Sequence, residues 1–124
     1  MRAILLSVRP HISTETGNLS AFESFQNQTL RPILKFQNEL IISILRQQLH
    51  KRKDVFYSLT QSERPHYLEN IIRQDLRFKS LLMGLIIGHF TAEEFSIYTE
   101  HEAELSRRLT NLLVQRAVSQ IDSL

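Results

Sequence analysis

The chain has 124 residues, 15 basic against 13 acidic side chains, and no cysteine. That length supports one domain with a core of its own, and 42% hydrophobic with 23% charged residues place it among globular chains rather than disordered ones. The missing cysteines exclude a disulfide scaffold, a zinc–thiolate site and a thiol nucleophile, while a net charge of +2 is too balanced to mark a nucleic-acid-binding domain.

Glycine and proline each occur three times, so the elements are expected to be few and long. Residues 1–19, with Pro10, Thr14, Thr16, Gly17 and Asn18, read as an extended arm with one strand-like piece over Ile4–Val8. The apolar stretch in that arm is shorter than the roughly 7–15 residues of a signal-peptide core, and no small-residue cleavage site follows it. The most apolar internal stretch, Leu81 to Phe90, is about half a membrane span. A cytoplasmic protein without a membrane segment is the expectation.

A first helix is predicted from Ser20, a good N-cap with Glu23 three residues on. It either runs into the next helix or bends before Pro32, because proline disfavours helix at the residue before it; Thr29 is then a candidate new N-cap. The second helix is predicted from about Leu30 to Arg52, where Ile33, Phe36, Leu40, Ile41, Ile44, Leu45 and Leu49 recur at steps of three and four. His50, Lys51, Arg52 and Lys53 close it, as suits the negative end of the helix dipole. Thr60-Gln61-Ser62-Glu63 reads as a capping box for a third helix with Pro65 in its first turns. Its stripe is Tyr67, Ile71, Asp75, Phe78, Leu82, Leu85 and His89, with Gly88 as C-cap and a possible break near Asp75. Thr91-Ala92-Glu93-Glu94 is another capping box. The last helix has acids at its start and bases toward its end, and its stripe is Phe95, Tyr98, Glu102, Leu105, Leu109, Leu112 and Arg116. The fold class expected is all-α: a helical bundle of about four helices, a single domain over 20–124, behind the arm.

No P-loop, GxGxxG, GxSxG or HExxH motif occurs. Glu63-Arg64-Pro65-His66 matches one ExxH, whereas a carboxylate-bridged metal bundle needs two with further inward glutamates; a capping Glu beside a surface His is the simpler reading. Arg46 to Lys53, followed by Phe56 and Tyr57, is the one basic cluster, and it reads as a solvated helix end. Gly84-Leu85-Ile86-Ile87-Gly88 is a small-xxx-small pattern, which predicts close helix packing at Gly84 and Gly88. Gly84 costs about 1 kcal/mol against Ala in a helix interior, so the space it leaves is expected to be used.

The polar residues on apolar stripes are the informative ones: Gln37 and Gln48 on the second helix, Asp75 and His89 on the third, Glu102 and Arg116 on the last. A buried polar group costs free energy unless partnered, so each implies a partner. Leu109 lies midway between Glu102 and Arg116. Two copies of the last helix packed antiparallel about a two-fold axis at Leu109 would set Glu102 against Arg116 twice, the self-complementary form of a homodimer interface. Alternatively Asp75, His89 and Glu102 line a ligand or metal pocket and do acid–base chemistry.

Three stretches carry a resemblance: Phe25-Gln26-Asn27-Gln28-Thr29-Leu30-Arg31-Pro32-Ile33-Leu34-Lys35 with Gln37-Asn38-Glu39-Leu40; Lys51-Arg52-Lys53-Asp54-Val55-Phe56-Tyr57; and Asp75-Leu76-Arg77-Phe78-Lys79 through Gly84-Leu85-Ile86-Ile87-Gly88-His89-Phe90-Thr91. Together, over most of residues 22–116, the chain resembles a small family of uncharacterised bacterial proteins, some of which carry the automatic label glyoxalase. The resemblance implies a distinct family and carries over no catalytic residue. Glyoxalase I enzymes hold their metal on strands of paired βαβββ modules, and nothing here reads as strand. Glyoxalase II enzymes need an HxHxDH cluster, and the histidines here are scattered at 11, 50, 66, 89 and 101. The function expected is therefore a non-enzymatic helical interaction or adaptor protein acting as a homodimer with an unidentified protein partner, with no cofactor and no metal. The alternatives are a nucleic-acid-binding regulator and an enzyme built on Asp75, His89 and Glu102.

Overall fold

A computed structural model of the chain describes residues 20–124. The expected arm, with its strand-like piece, lies outside the described residues. Among the described residues every regular element is helical and none is a strand.

The chain enters helix α1 (Ala21–Phe25) at Ser20, whose Oγ accepts a hydrogen bond from the Glu23 amide at 3.1 Å. No bend precedes Pro32. Instead a π-helical turn, Gln26–Leu30, leads straight into α2 (Arg31–Phe36). Pro32 has no N–H to return to the preceding turn. The wide turn absorbs this, because the Arg31 amide reaches the Gln26 carbonyl, five residues back. Thr29 is consequently not an N-cap. It is buried mid-helix, and its hydroxyl donates to Glu94 Oε2 at 3.1 Å.

The single second helix expected from Leu30 to Arg52 is broken at Gln37 (φ −92°, ψ 11°), and α3 (Asn38–Lys51) follows. The break resets the rotation of the stripe. Ile33, Ile41, Leu45 and Leu49 are buried, while Phe36 and Leu40 are left exposed. Lys53 and Asp54 then take positive φ angles of 61° and 56°. They turn the chain into a short helix, α4 (Val55–Ser58), between the second and third helices expected from the sequence.

Only half of the expected capping box at Thr60 forms. Glu63 reaches back to the Thr60 amide at 2.9 Å, but the Thr60 hydroxyl also donates to Glu63 Oε1. Helix α5 (Arg64–Gln74) starts beyond it, with Pro65 in its first turn. The break at Asp75 is present: Asp75 (ψ 97°) ends α5 and caps α6 (Leu76–Ile87), its Oδ1 accepting from the Phe78 amide at 3.1 Å. Gly88 is the C-cap of α6 in right-handed geometry.

The capping box at Thr91 is complete and opens α7 (Ala92–Glu100). The last helix is not continuous from there. His101 (φ −127°, ψ 38°) breaks it, and α8 (Glu102–Ser119) begins anew before a final 3₁₀ turn, Ile121–Ser123. The described chain is thus divided into more and shorter helices than about four.

Helix α8 packs against the π-helical turn, α5, α6 and α7. It contributes Leu105, Leu109, Leu112, Leu113, Val114 and Ala117 to one core that also takes in Leu30, Leu34, Phe56, Leu68, Phe78 and Phe90. No helix among the described residues is long and apolar enough to cross a membrane.

Candidate functional site

The polar residues singled out on the stripes have separate surroundings. Gln37, at the α2–α3 break, places its amide nitrogen 2.5 Å from His89 Nε2. The Phe36 ring meets the same imidazole edge-on at 5.5 Å. Asp75 is spent twice, on the α6 cap and on an ion pair with Arg52, both side chains about a third exposed. Arg116 donates to Asn38 Oδ1 at 2.9 Å within its own chain. Gln48 is half-buried and makes no side-chain hydrogen bond among the described residues.

Glu102 is corrected most. The break at His101 turns it off the seam, and it is exposed at the start of α8. Its carboxylate lies close enough to Tyr98 to push that phenol up, behind the larger effect of Tyr98's burial. Leu109 is 0% exposed within its own chain. A two-fold axis beside Leu109 would find none of that side chain exposed, and Arg116 already has a partner in its own chain.

Asp75, His89 and Glu102 are not brought together. Asp75 caps one end of α6 and His89 follows the other, which at 1.5 Å per residue puts them roughly 20 Å apart. No group of three His, Asp or Glu side chains that could hold a metal occurs among the described residues. In the ExxH segment, Glu63 is held by Thr60 through its backbone amide and hydroxyl, which keep its carboxyl below the usual range. His66 is exposed and faces Asn70 at 3.2 Å. The basic cluster is largely occupied. Arg46 donates twice to the Ser123 carbonyl, His50 meets Asp54 Oδ1 at 2.8 Å, and Arg52 holds Asp75.

The close packing expected at Gly84 does not occur among the described residues. Gly84 is exposed, and a Cβ built on it would meet nothing within 4 Å. At Gly88 a Cβ would meet only the preceding turn, 3.1 Å from the Gly84 carbonyl oxygen. At 100° per residue, Arg77, Leu81, Gly84, Leu85 and Gly88 share an arc of roughly 100° on α6. Leu81 is 53% exposed on it and Leu85 packs partly against the core, so the glycine side of α6 faces outward as a shallow apolar trough.

Sequence reasoning singled out Arg116 but overlooked the Arg31 beside it. Arg31 and Arg116 border a cavity of about 270 Å³ with Leu34, Leu112, Gln115 and Ser119. Each is held by a neutral amide: Arg31 Nε by Asn27 Oδ1 at 2.9 Å, Arg116 by Asn38 Oδ1 at 2.9 Å. Asn38 is itself locked to Gln120, whose amide nitrogen lies 2.5 Å from the same Oδ1. Burial, and after it the Arg31 charge, lowers the pKa of Arg116. A larger cavity, about 550 Å³, lies between α1 and the α7–α8 break, walled by Phe22, Phe25, Ile97, His101 and Leu105. The partners of Arg31 and Arg116 lie across the fold from them or are neutral, so no charge pattern in the sequence marked the pair. Comparison of the chain with protein-family models, with curated proteins and with solved structures finds no match in any of the three.

Proposed function

We propose that the protein is a non-enzymatic helical interaction module that works as a homo-oligomer, associating through the outer face of α6 rather than through α8. The observation carrying this reading is the trough at Gly84 and Gly88. A glycine inside a helix costs stability, and here none of the described residues uses the space it opens. Small residues let a second helix approach closely.

A second copy is the occupant that the chemistry of the face favours. A two-fold interface sets a patch against itself, so a concentrated charge would repel its own image. Leu81, Gly84, Leu85 and Gly88 carry no charge. In an antiparallel crossing, Arg77 at the start of α6 meets the C-terminal end of the other α6, where the helix dipole is negative.

Sedimentation equilibrium across a concentration series tests this. The expected mass is a multiple of the 14.6 kDa chain, and Leu81→Asp is expected to reduce it to one chain with helical circular dichroism retained. A wild type that stays monomeric throughout, or an oligomer indifferent to Leu81→Asp, overturns the proposal.

A further inference from the structure

Helices α2 and α8 place two guanidinium groups beside one small cavity that no carboxylate among the described residues lines. Four arginines of the fold find acids: Arg52 has Asp75, Arg73 has Glu69, and Arg107 and Arg108 share Glu104, while Arg46 and Arg64 rest on backbone carbonyls. Arg31 and Arg116 have none among the described residues. Their fixed partners, Asn27 and Asn38, use up one donor each and neutralise nothing. A guanidinium presents five N–H donors in a rigid plane, so most of the donors of both remain for something else.

Both arginines are half-buried, and like charges held together out of full solvent are costly unless an anion joins them. The lowered pKa of Arg116 is the same repulsion and desolvation seen on one group. Gln115 and Ser119 add an exposed amide and a hydroxyl at the rim. The cavity, about 270 Å³, is the size of one small group rather than of an extended ligand.

We infer that the pocket between α2 and α8 binds a phosphoryl group, free or at the end of a small phosphate monoester, with Arg31 and Arg116 as paired donors. A phosphate carries about −1.5 to −2 charges at neutral pH, which matches two guanidiniums where a carboxylate matches one. Gln115 then serves an oxygen that the arginines leave, while the Ser119 hydroxyl is held by the Arg116 carbonyl at 2.9 Å. This inference uses helices and residues other than those of the proposed association, so either can fail alone.

The test is titration of the full chain with inorganic phosphate at constant ionic strength, read from the Arg31 and Arg116 Nε–Hε NMR signals, with chloride as control. Saturable shifts confined to these signals and the neighbouring α8 amides are expected with phosphate and not with chloride. Arg31→Gln is expected to weaken binding at least about tenfold, the loss of one charge-assisted contact. Gln115→Glu keeps both arginines and alters only an exposed position. It is expected to raise Tm by supplying the missing anion and to suppress the response to phosphate. A parallel titration with phosphoserine separates the sources: tighter binding than inorganic phosphate assigns a monoester, and equal or weaker binding assigns the free ion. Shifts that track ionic strength alone, or a phosphate response unchanged in both Arg31→Gln and Gln115→Glu, overturn the inference.

Discussion

Replacing Gly84 by alanine is expected to stabilise the isolated chain. Gly84 is inside α6, its carbonyl accepting from the Gly88 amide at 2.9 Å, and the added methyl has open space around it. The change therefore removes a backbone-entropy cost without a clash, worth about 0.5–1 kcal/mol. For a chain of 124 residues the unfolding entropy is about 0.26 kcal/mol/K, so Tm rises by about 2–4 °C. Thermal unfolding followed by far-ultraviolet circular dichroism measures this, at a protein concentration low enough for sedimentation to give one chain. Gly88→Ala is the paired control: its methyl sits 3.1 Å from a carbonyl oxygen, so a smaller gain or a loss is expected. If Gly84→Ala lowers Tm under monomeric conditions, the trough is filled by the chain's own atoms and the reasoning fails. If the gain in dilute solution turns into a loss once the chains associate, the trough is the contact, because binding to the folded state makes Tm depend on concentration.

Other parts of the fold yield further expectations. Leu109→Ala opens a cavity at a residue that is 0% exposed, at a cost of about 2–5 kcal/mol in urea unfolding; a cost below about 1 kcal/mol would show that Leu109 is not in the core. Lys53→Gly relieves a left-handed backbone at φ 61°, and a gain of up to about 1 kcal/mol is expected, so a destabilised variant would argue against that geometry. Arg107 and Arg108 hold the Glu104 carboxyl below the usual range through their hydrogen bonds. A carboxyl lowered in the folded state contributes stability above the unfolded value, roughly pH 4.3, and loses it as pH falls through the folded value. Wild type is therefore expected to weaken on acidification in that window, and Glu104→Gln to weaken less; parallel stability–pH curves would count against the ion pairs.

Helix starts were legible because a cap is a local device. Ser20 and Glu23, or Thr91 and Glu94, are three residues apart, and their hydrogen bonds need no distant partner. The burial of Ile41, Leu45, Ile71, Leu82, Leu105 and Leu112 likewise follows from helical spacing alone. The interruptions at Gln37 and His101 were not legible, because neither segment contains the glycine or proline that marks a local stop. In the fold His101 sets its ring 5.1 Å from Phe22, and Gln37 reaches His89, contacts between residues far apart in the chain. Once His101 breaks the helix, periodicity counted through it misplaces Phe95 and Glu102 on the buried side.

The sequence by itself determined an all-helical fold over the described residues, several of its caps, and a core rich in leucine and isoleucine, since these follow from hydrogen bonding and periodicity over a few residues. Only the tertiary structure decided where the polar residues of the stripes find their partners. Asn38 meets Arg116 and Gln120, Thr29 meets Glu94, and Arg52 meets Asp75 across long stretches of chain. The outward turn of Gly84 and the pairing of Arg31 with Arg116 at one cavity belong to the same class. Each depends on how the helices are rotated and broken relative to one another, a quantity that a period of 3.6 residues leaves open.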